Sequence, residues 1–329
     1  MVELNRRSLL IGAGAIAAGS SARLFVTGDA AEAAAPIAQA QAPGFYRSKL
    51  GDFELTQFSD GARTFPMPDI FVRNVPKAEV LAAAKEAHMP EGKVTVPFNP
   101  LLVNTGSKLV LIDTGLGPGV APSVGLLAAN MKAAGVDPKS VDIVLLSHLH
   151  PDHMNGIKAA DGSLAFPNAE IKAPAPEMAF WMSEENAAKA KDDATKNYFA
   201  ACRKVLGNVQ EKITRYEWGK EVAPGITALD TSGHTPGHTS FAVSSGSATI
   251  LVQSDVTNIP EFFLVHPDWH VMYDYDPDKA AETRKKFYDM ASSEKTLIAG
   301  FHFSFPSMGY VEKASSGYRL NPIRWSPVL

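Results

Sequence analysis

Cysteine is nearly missing: Cys202 is the only one in 329 residues. A single thiol cannot close an intramolecular disulfide or build a cysteine-rich zinc site. Long apolar runs are missing too. The stretch Leu9 to Ala18 is about half of the roughly 20 residues a membrane-spanning helix needs, and Gly and Ala dilute it, so no stable membrane anchor is expected. There is no basic surplus, since 31 Lys and Arg face 35 Asp and Glu for a net charge of −4. A nucleic-acid partner is therefore not expected. No repeat with a period of about 20–50 residues appears, which excludes solenoids and propellers. No Gly-x-Ser-x-Gly elbow appears either, and Cys202 has no activating neighbours, so a Ser or Cys nucleophile is not indicated. What remains is 45% hydrophobic and 20% charged, an ordinary globular composition.

The amino terminus reads as an address. Paired arginines in Asn5-Arg6-Arg7-Ser8-Leu9-Leu10 precede a mild apolar stretch, and small residues follow from Ala30 to Ala35. This is the pattern of a twin-arginine export signal over residues 1–35, with a periplasmic or secreted product. Residues 36–50 read as a tether, and residues 36–329 as one domain.

Along the rest of the chain, strands and helices interleave, which predicts α/β (or α+β) architecture with helices on outer faces. Phe53–Phe58 alternates as a half-buried strand, and Pro66 and Pro68 break the pattern. Residues 101–113 and 241–252 each read as a hairpin around a Gly-containing turn, and each leads to an acid, Asp113 and Asp255. Helices are expected over Val80–Ala87, Pro122–Ala134, Glu185–Leu206 and Pro277–Ser292. Val141–Leu146 and Thr296–Ala299 read as buried strands.

Nine histidines are few enough to follow singly, and three of them crowd into Ser147-His148-Leu149-His150-Pro151-Asp152-His153. This run directly follows the buried strand, where ligand sites of α/β sheets favour the strand's carboxyl end. Three imidazoles and a carboxylate in six residues suit zinc and its neighbours. One loop rarely closes a site, so distant partners are required. His234 in Gly233-His234-Thr235-Pro236-Gly237-His238, Asp255 after the second hairpin, and His302 after the last buried strand each sit just past a strand end.

These residues resemble the metallo-β-lactamase superfamily. The matching pieces are Asp113-Thr114-Gly115, the H-x-H-x-D-H run, the His234–His238 turn, Asp255 and His302. The resemblance is nearer to the methyl parathion hydrolase group. Gly44-Phe45-Tyr46-Arg47, Ser59-Asp60-Gly61, Leu127-Ala128-Ala129-Asn130, Ala165-Phe166-Pro167-Asn168-Ala169, Phe180-Trp181 and Gly317-Tyr318-Arg319 carry it. It implies an αβ/βα sandwich of two mixed β-sheets flanked by helices, with a dinuclear site at one edge, and a homodimer. Carried over by position, His148, His150 and His234 hold one divalent ion. Asp152, His153 and His302 hold the other, and Asp255 and a hydroxide bridge them. Zinc leads, with manganese, cobalt and iron also suited by ligand type. Asp152 and Asp255 are the catalytic carboxylates. Asp113 orients a ligand, and His238 braces its turn.

Such a pair of ions makes hydroxide available at neutral pH and polarises a C=O or P=O bond. The expected substrates are small neutral aryl esters, lactones or phosphotriesters. Trp181, Tyr198, Phe199, Phe262 and Trp269 are the expected aromatic walls. Val120 stands where the group has an aromatic residue, which predicts weaker triester hydrolysis. The rival reading is a redox member of the superfamily such as an iron-dependent sulfur dioxygenase.

Overall fold

The computed structural model describes residues 41–209 and 212–329. The export segment expected over residues 1–35 lies outside them. Within the compact unit Pro43–Leu329 the strands are, in chain order, β1 (Phe45–Leu50), β2 (Phe53–Phe58), β3 (Gly61–Pro66), β4 (Lys93–Phe98), β5 (Leu101–Asn104), β6 (Leu109–Ile112), β7 (Ile143–Leu145), β8 (Glu170–Pro174), β9 (Thr214–Tyr216), β10 (Glu221–Ala223), β11 (Ile226–Asp230), β12 (Thr239–Ser245), β13 (Ala248–Ser254), β14 (Leu297–Gly300), β15 (Met308–Lys313) and β16 (Tyr318–Pro322). They form two seven-stranded sheets, ordered β1-β2-β5-β6-β7-β8-β9 and β10 through β16 in sequence, plus the hairpin β3-β4. Both large sheets are mixed. β6 to β9 run parallel, as do β13 and β14, while the remaining pairs are antiparallel.

The inner faces of the sheets meet in one apolar layer. Leu55, Val103, Val110, Ile112 and Leu145 of the first sheet pack against Ile226, Phe241, Val243, Ile250 and Val252 of the second. Burial of these aliphatic faces is the main force joining the halves. The outer face of the first sheet is covered by helices Leu127–Ala133, Ala175–Trp181 and Asp193–Leu206 through Met131, Trp181, Phe199 and Leu206. Helix Pro277–Glu294 covers the second through Phe287, Tyr288 and Ala291. This is the αβ/βα sandwich expected from the sequence.

Several elements differ from expectation. The tether ends early, because Phe45–Leu50 is already β1, paired along its whole length with β2. β2 is not half-buried: Leu55, Thr56, Gln57 and Phe58 are all buried, because a helix layer lies on one face and the other sheet on the opposite face. The prolines near 66 close a strand, β3, rather than merely ending β2. Pro66 and Pro97 are tolerated because each strand of a two-stranded ribbon is an edge. The helix expected from Pro122 begins at Leu127, after Gly125 adopts a φ of +77°. The helix expected over Glu185–Leu206 is two helices, Glu184–Lys189 and Asp193–Leu206. The side chain of Asp192 accepts from the Thr195 N–H and starts the second.

β6 and β13 deliver their chains to the same edge of the sandwich in the same unusual way. Asp113, just after β6, has φ +60°, and Ser254, the last residue of β13, has φ +50°. Left-handed backbone at non-glycine residues is uncommon and concentrates where a site needs a sharp turn.

Candidate metal centre

The first ligand loop follows β7. Pro151 opens the short helix Pro151–Met154, with His150 as its cap residue. His148 and His150 therefore sit on extended backbone, whereas Asp152 and His153 sit on the first helical turn. The short helix is docked onto the Asp113-Thr114-Gly115 loop: the Thr114 N–H and hydroxyl both donate to the His153 carbonyl at 2.8 Å. A Cβ at Gly156 would lie 1.9 Å from the Thr114 carbonyl, so only glycine allows this approach.

Seven predicted side chains converge. Donor atoms of His148, His150 and His234 lie within 4.8 Å of one another, as do those of His148, His153 and Asp255, and those of Asp152, His153 and His302. Asp255 sits between the groups. Its Oδ1 is 3.1 Å from His153 Nε2, and its Oδ2 is 3.3 Å from His234 Nε2 and 3.1 Å from His302 Nε2. All are buried except Asp152, whose side chain keeps 20% exposure.

The far nitrogens of the imidazoles are spoken for. His153 Nδ1 donates to Asp113 Oδ2 at 2.8 Å, His234 Nδ1 to Asp274 Oδ1 at 2.8 Å, and His302 Nδ1 to the Pro97 carbonyl at 2.7 Å. Each bond fixes the tautomer that leaves Nε2 with a free lone pair. Asp113 also accepts from the Ser147 N–H and hydroxyl, both at 2.8 Å, so Ser147 bonds a carboxylate rather than backbone. His238 is turned away. Its Nε2 accepts from the Asp255 N–H at 2.9 Å and its Nδ1 donates to the Thr231 carbonyl at 3.0 Å, which ties the turn to the strand end at Asp255. Burial pushes its imidazole down to about 3, leaving it neutral.

These residues fit a metal pair. His148 Nε2, His153 Nε2 and Asp255 Oδ1 are buried without a hydrogen-bond partner. Orphaned buried polar atoms are costly unless a ligand completes them. The electrostatics agree. Burial holds His148 and His150 well below the usual imidazole range, so both are neutral ligands. Burial also opposes charge on His153, yet Asp255, Asp152 and Asp113 pull it well above that range. Asp255 is held well below the carboxylate range by His302 and His153 despite its burial. Three carboxylates among buried imidazoles form a site for positive charge, and this donor set suits two divalent ions.

The site opens into a cavity of about 180 Å³ lined by Arg63, Phe65, Val96 and Phe98 of the β3-β4 hairpin, by Leu116, Tyr198, Asn258 and Tyr273, and by the ligands themselves. Of the six side chains expected to form its walls, only Tyr198 lines it. Its ring sits 4.5 Å from that of His150. Trp181 and Phe199 are buried core residues, packed on each other at 4.8 Å behind the ligand loop. Phe262 and Trp269 belong to the apolar cluster beneath β3-β4, 6.0 Å apart, with Trp269 stacked on His266. Val120 is 44% exposed, because Gly117 and Gly119 adopt positive φ and turn the loop outward; Leu116 supplies that loop's contact instead. Cys202 is buried with its thiol pushed up by burial and donating to the Leu149 carbonyl, so it is inert.

A sequence model of the metallo-beta-lactamase superfamily matches residues 97–302. The chain belongs to that superfamily. With this donor set, the superfamily member is a metal-dependent hydrolase. It is similar to the N-acyl homoserine lactonase AiiA of Bacillus thuringiensis subsp. kurstaki, 25% identical over 237 residues that cover 66% of this chain and 85% of the relative. Among solved structures it is similar to the hydrolase AbOPH of the beta lactamase superfamily, with TM-score 0.82 and 31% identity over 87% of this chain and 100% of the other. It is also similar to AidC, a dizinc quorum-quenching lactonase, with TM-score 0.80 and 29% identity over 86% and 98%.

Two of the supporting carboxylates, Asp274 and Glu177, are not legible in the sequence. Asp274 lies in an aromatic run, and Arg284 lies seven positions into the helix Pro277–Glu294. Both are buried, with Arg284 Nη2 3.5 Å from Asp274 Oδ2. Neither stands out in the sequence, because Asp276 and Asp278 follow Asp274 and Arg284 lies beside Glu282, Lys285 and Lys286. Glu177, fully buried beside the first ligand loop, gives no signal either.

Proposed function

We propose that this superfamily member is a dinuclear hydrolase that opens lactones and cleaves small neutral esters, with phosphotriesters as a slower substrate class. The observation that carries the reading is the placement of Asp255 between two histidine groups at the floor of a largely apolar cavity. His148, His150 and His234 would hold one divalent ion, Asp152, His153 and His302 the other, and Asp255 would serve both. When bound, such ions lower the pKa of water and polarise the carbonyl under attack.

The chain's own groups do the rest. Asp113, Asp274 and the Pro97 carbonyl hold three imidazoles in the ligating tautomer. Asp152, the more exposed of the two ligand carboxylates that line the cavity, is placed to return a proton to the departing alkoxide. Tyr198 and Tyr273 also line the cavity. Burial pushes the Tyr273 phenol up to about 12 and the Tyr198 phenol higher, so both stay protonated as hydrogen-bond donors. Phe65, Val96, Phe98 and Leu116 exclude water and receive apolar groups. A cavity of ~150 Å³ holds benzene, so this one accepts one aryl ring or a small lactone ring, with an acyl chain leaving through the mouth. AiiA and AidC, both lactonases, support the lactone, and the methyl parathion hydrolase resemblance supports the aryl ester and triester.

The test is hydrolysis by zinc-loaded protein of an N-acyl homoserine lactone, dihydrocoumarin, p-nitrophenyl acetate and methyl paraoxon. Lactone and ester turnover above triester turnover is expected. Inactivity toward all four, or full activity after exhaustive chelation, ends the reading. Export by the twin-arginine route belongs to the same proposal, and recovery of the protein in the periplasmic fraction checks it.

A further inference from the structure

We propose that Glu177 is a positioning residue that clamps the two histidine loops of one half-site in register before any ion arrives. The inference rests on the metal-centre reading, because His148, His150 and His234 come from loops more than 80 residues apart in sequence (His234 and His150 are separated by 84). One carboxylate touches both loops. Glu177 Oε2 accepts from the Leu149 N–H at 3.1 Å, and Leu149 stands between the two ligands of the first loop. Glu177 Oε1 accepts from the Gly237 N–H at 2.6 Å, three residues past His234. The Leu149 peptide is held from its other side too, since the Cys202 thiol donates to its carbonyl at 3.3 Å.

The local chain is shaped for this contact. A Cβ at Gly237 would lie 2.5 Å from the Glu177 nitrogen and 2.9 Å from its Cγ, so the turn reaches the carboxylate only with glycine there. Trp181, one turn further along helix Ala175–Trp181, donates Nε1–H to Oε2 at 2.8 Å and fixes the carboxylate's rotation. Glu177 is fully buried. Without it two buried backbone N–H groups lose their acceptor, and both belong to ligand loops. A carboxylate can accept from both; a carboxamide of the same shape can accept at one oxygen only and confronts the second N–H with its own NH₂.

The experiment compares metal-free full-length protein with its Glu177→Gln and Trp181→Phe variants, using Zn²⁺ and Co²⁺ as probes. In Glu177→Gln, one of two binding steps in a chelator competition is expected to weaken by about 10–100-fold while the other holds. The visible absorption of the Co²⁺-loaded protein is expected to change with it. Trp181→Phe, which leaves both amide bonds but removes one donor to the carboxylate, is expected to lose clearly less than Glu177→Gln. Wild-type affinities and spectrum in a folded Glu177→Gln protein overturn the clamp. So does an equal loss in Trp181→Phe, which assigns the effect to helix packing. If Glu177→Gln does not fold, amide hydrogen exchange in metal-free wild type decides: Leu149 and Gly237 are expected to be as protected as β7 and β12, and fast exchange at both overturns the proposal. A wild type that binds neither ion refutes the metal-centre reading instead, and the same exchange measurement still judges the clamp.

Discussion

Asp274→Asn tests folding and metal binding together at one buried carboxylate. Asp274 Oδ1 accepts from His234 Nδ1 at 2.8 Å, and its Oδ2 has Arg284 Nη2 as counter-ion at 3.5 Å. Neither side chain reaches solvent. In the variant the amide oxygen can still accept from His234, but the amide nitrogen confronts a buried guanidinium. Breaking a buried pair by removing one partner costs about 3–5 kcal/mol. Arg284 keeps three carbonyl acceptors, on Val256, Pro267 and Trp269, at 2.8–2.9 Å, which places the cost near the lower end, about 3 kcal/mol. For a unit the size of Pro43–Leu329 each kcal/mol moves Tm by roughly 2 °C, so calorimetry of metal-free protein should show a fall of about 6 °C. Chelator competition should show about 10–100-fold weaker zinc binding, because His234 loses its carboxylate partner. The double variant Asp274→Leu/Arg284→Met removes the unpaired guanidinium but leaves the Val256, Pro267 and Trp269 carbonyls and His234 Nδ1 without partners, so it should recover neither the stability nor the metal affinity. A single variant with wild-type Tm and zinc affinity, or a double variant that recovers either, refutes the reasoning.

Asp255→Ala should reduce ester and lactone hydrolysis to background while circular dichroism still reports the native fold, since Asp255 joins the donor groups rather than the core. Phe98→Ala opens the wall beside His302, whose ring lies 5.5 Å away; KM for p-nitrophenyl acetate should rise at least several-fold with a smaller change in kcat, and the reverse split would move Phe98 out of the cavity. Asp113→Asn should weaken metal binding by about 10–100-fold, read by the same competition assay, because His153 loses its carboxylate partner. A pH test uses Asp60, which burial pushes up to about 6 although the N–H groups of Leu127, Leu116 and Gly125 pull it down. The folded chain binds this proton more tightly than the unfolded one, so the group adds stability at low pH and loses it as pH rises through about 6. Between pH 7 and 5 the gain is about 1.3 kcal/mol. Denaturant titrations of metal-free protein should show the gap between wild type and Asp60→Asn widening by that amount at pH 5; a constant gap refutes it.

The ligands and their support differ in how far they can be read from sequence. H-x-H-x-D-H is legible because its chemistry is local: a strand end, a proline at the first helical position and four donors fix most of the geometry within seven residues. His234, Asp255 and His302 are legible because each follows a strand whose apolar run marks it, and the parallel pairing of β13 with β14 brings two of those strand ends together. Glu177 and Asp274 escape because a carboxylate that serves backbone amides or the back of an imidazole leaves no spacing pattern. The cavity walls were misread for a related reason. Trp181, Phe199, Phe262 and Trp269 share the composition of a binding pocket, but composition does not distinguish a wall from a core, and none of the four lines the cavity. The true wall, Phe65, Val96 and Phe98, sits on a hairpin bounded and interrupted by prolines. Proline ends a strand inside a sheet but not in a two-stranded ribbon, where every unpaired N–H faces outward. An edge ribbon beside the metal centre is also the part of this sandwich least tied to the shared core. Substrate preference can therefore change there by substitution at Arg63 or Phe65, whereas Val96 and Phe98 flank Pro97, whose carbonyl holds His302.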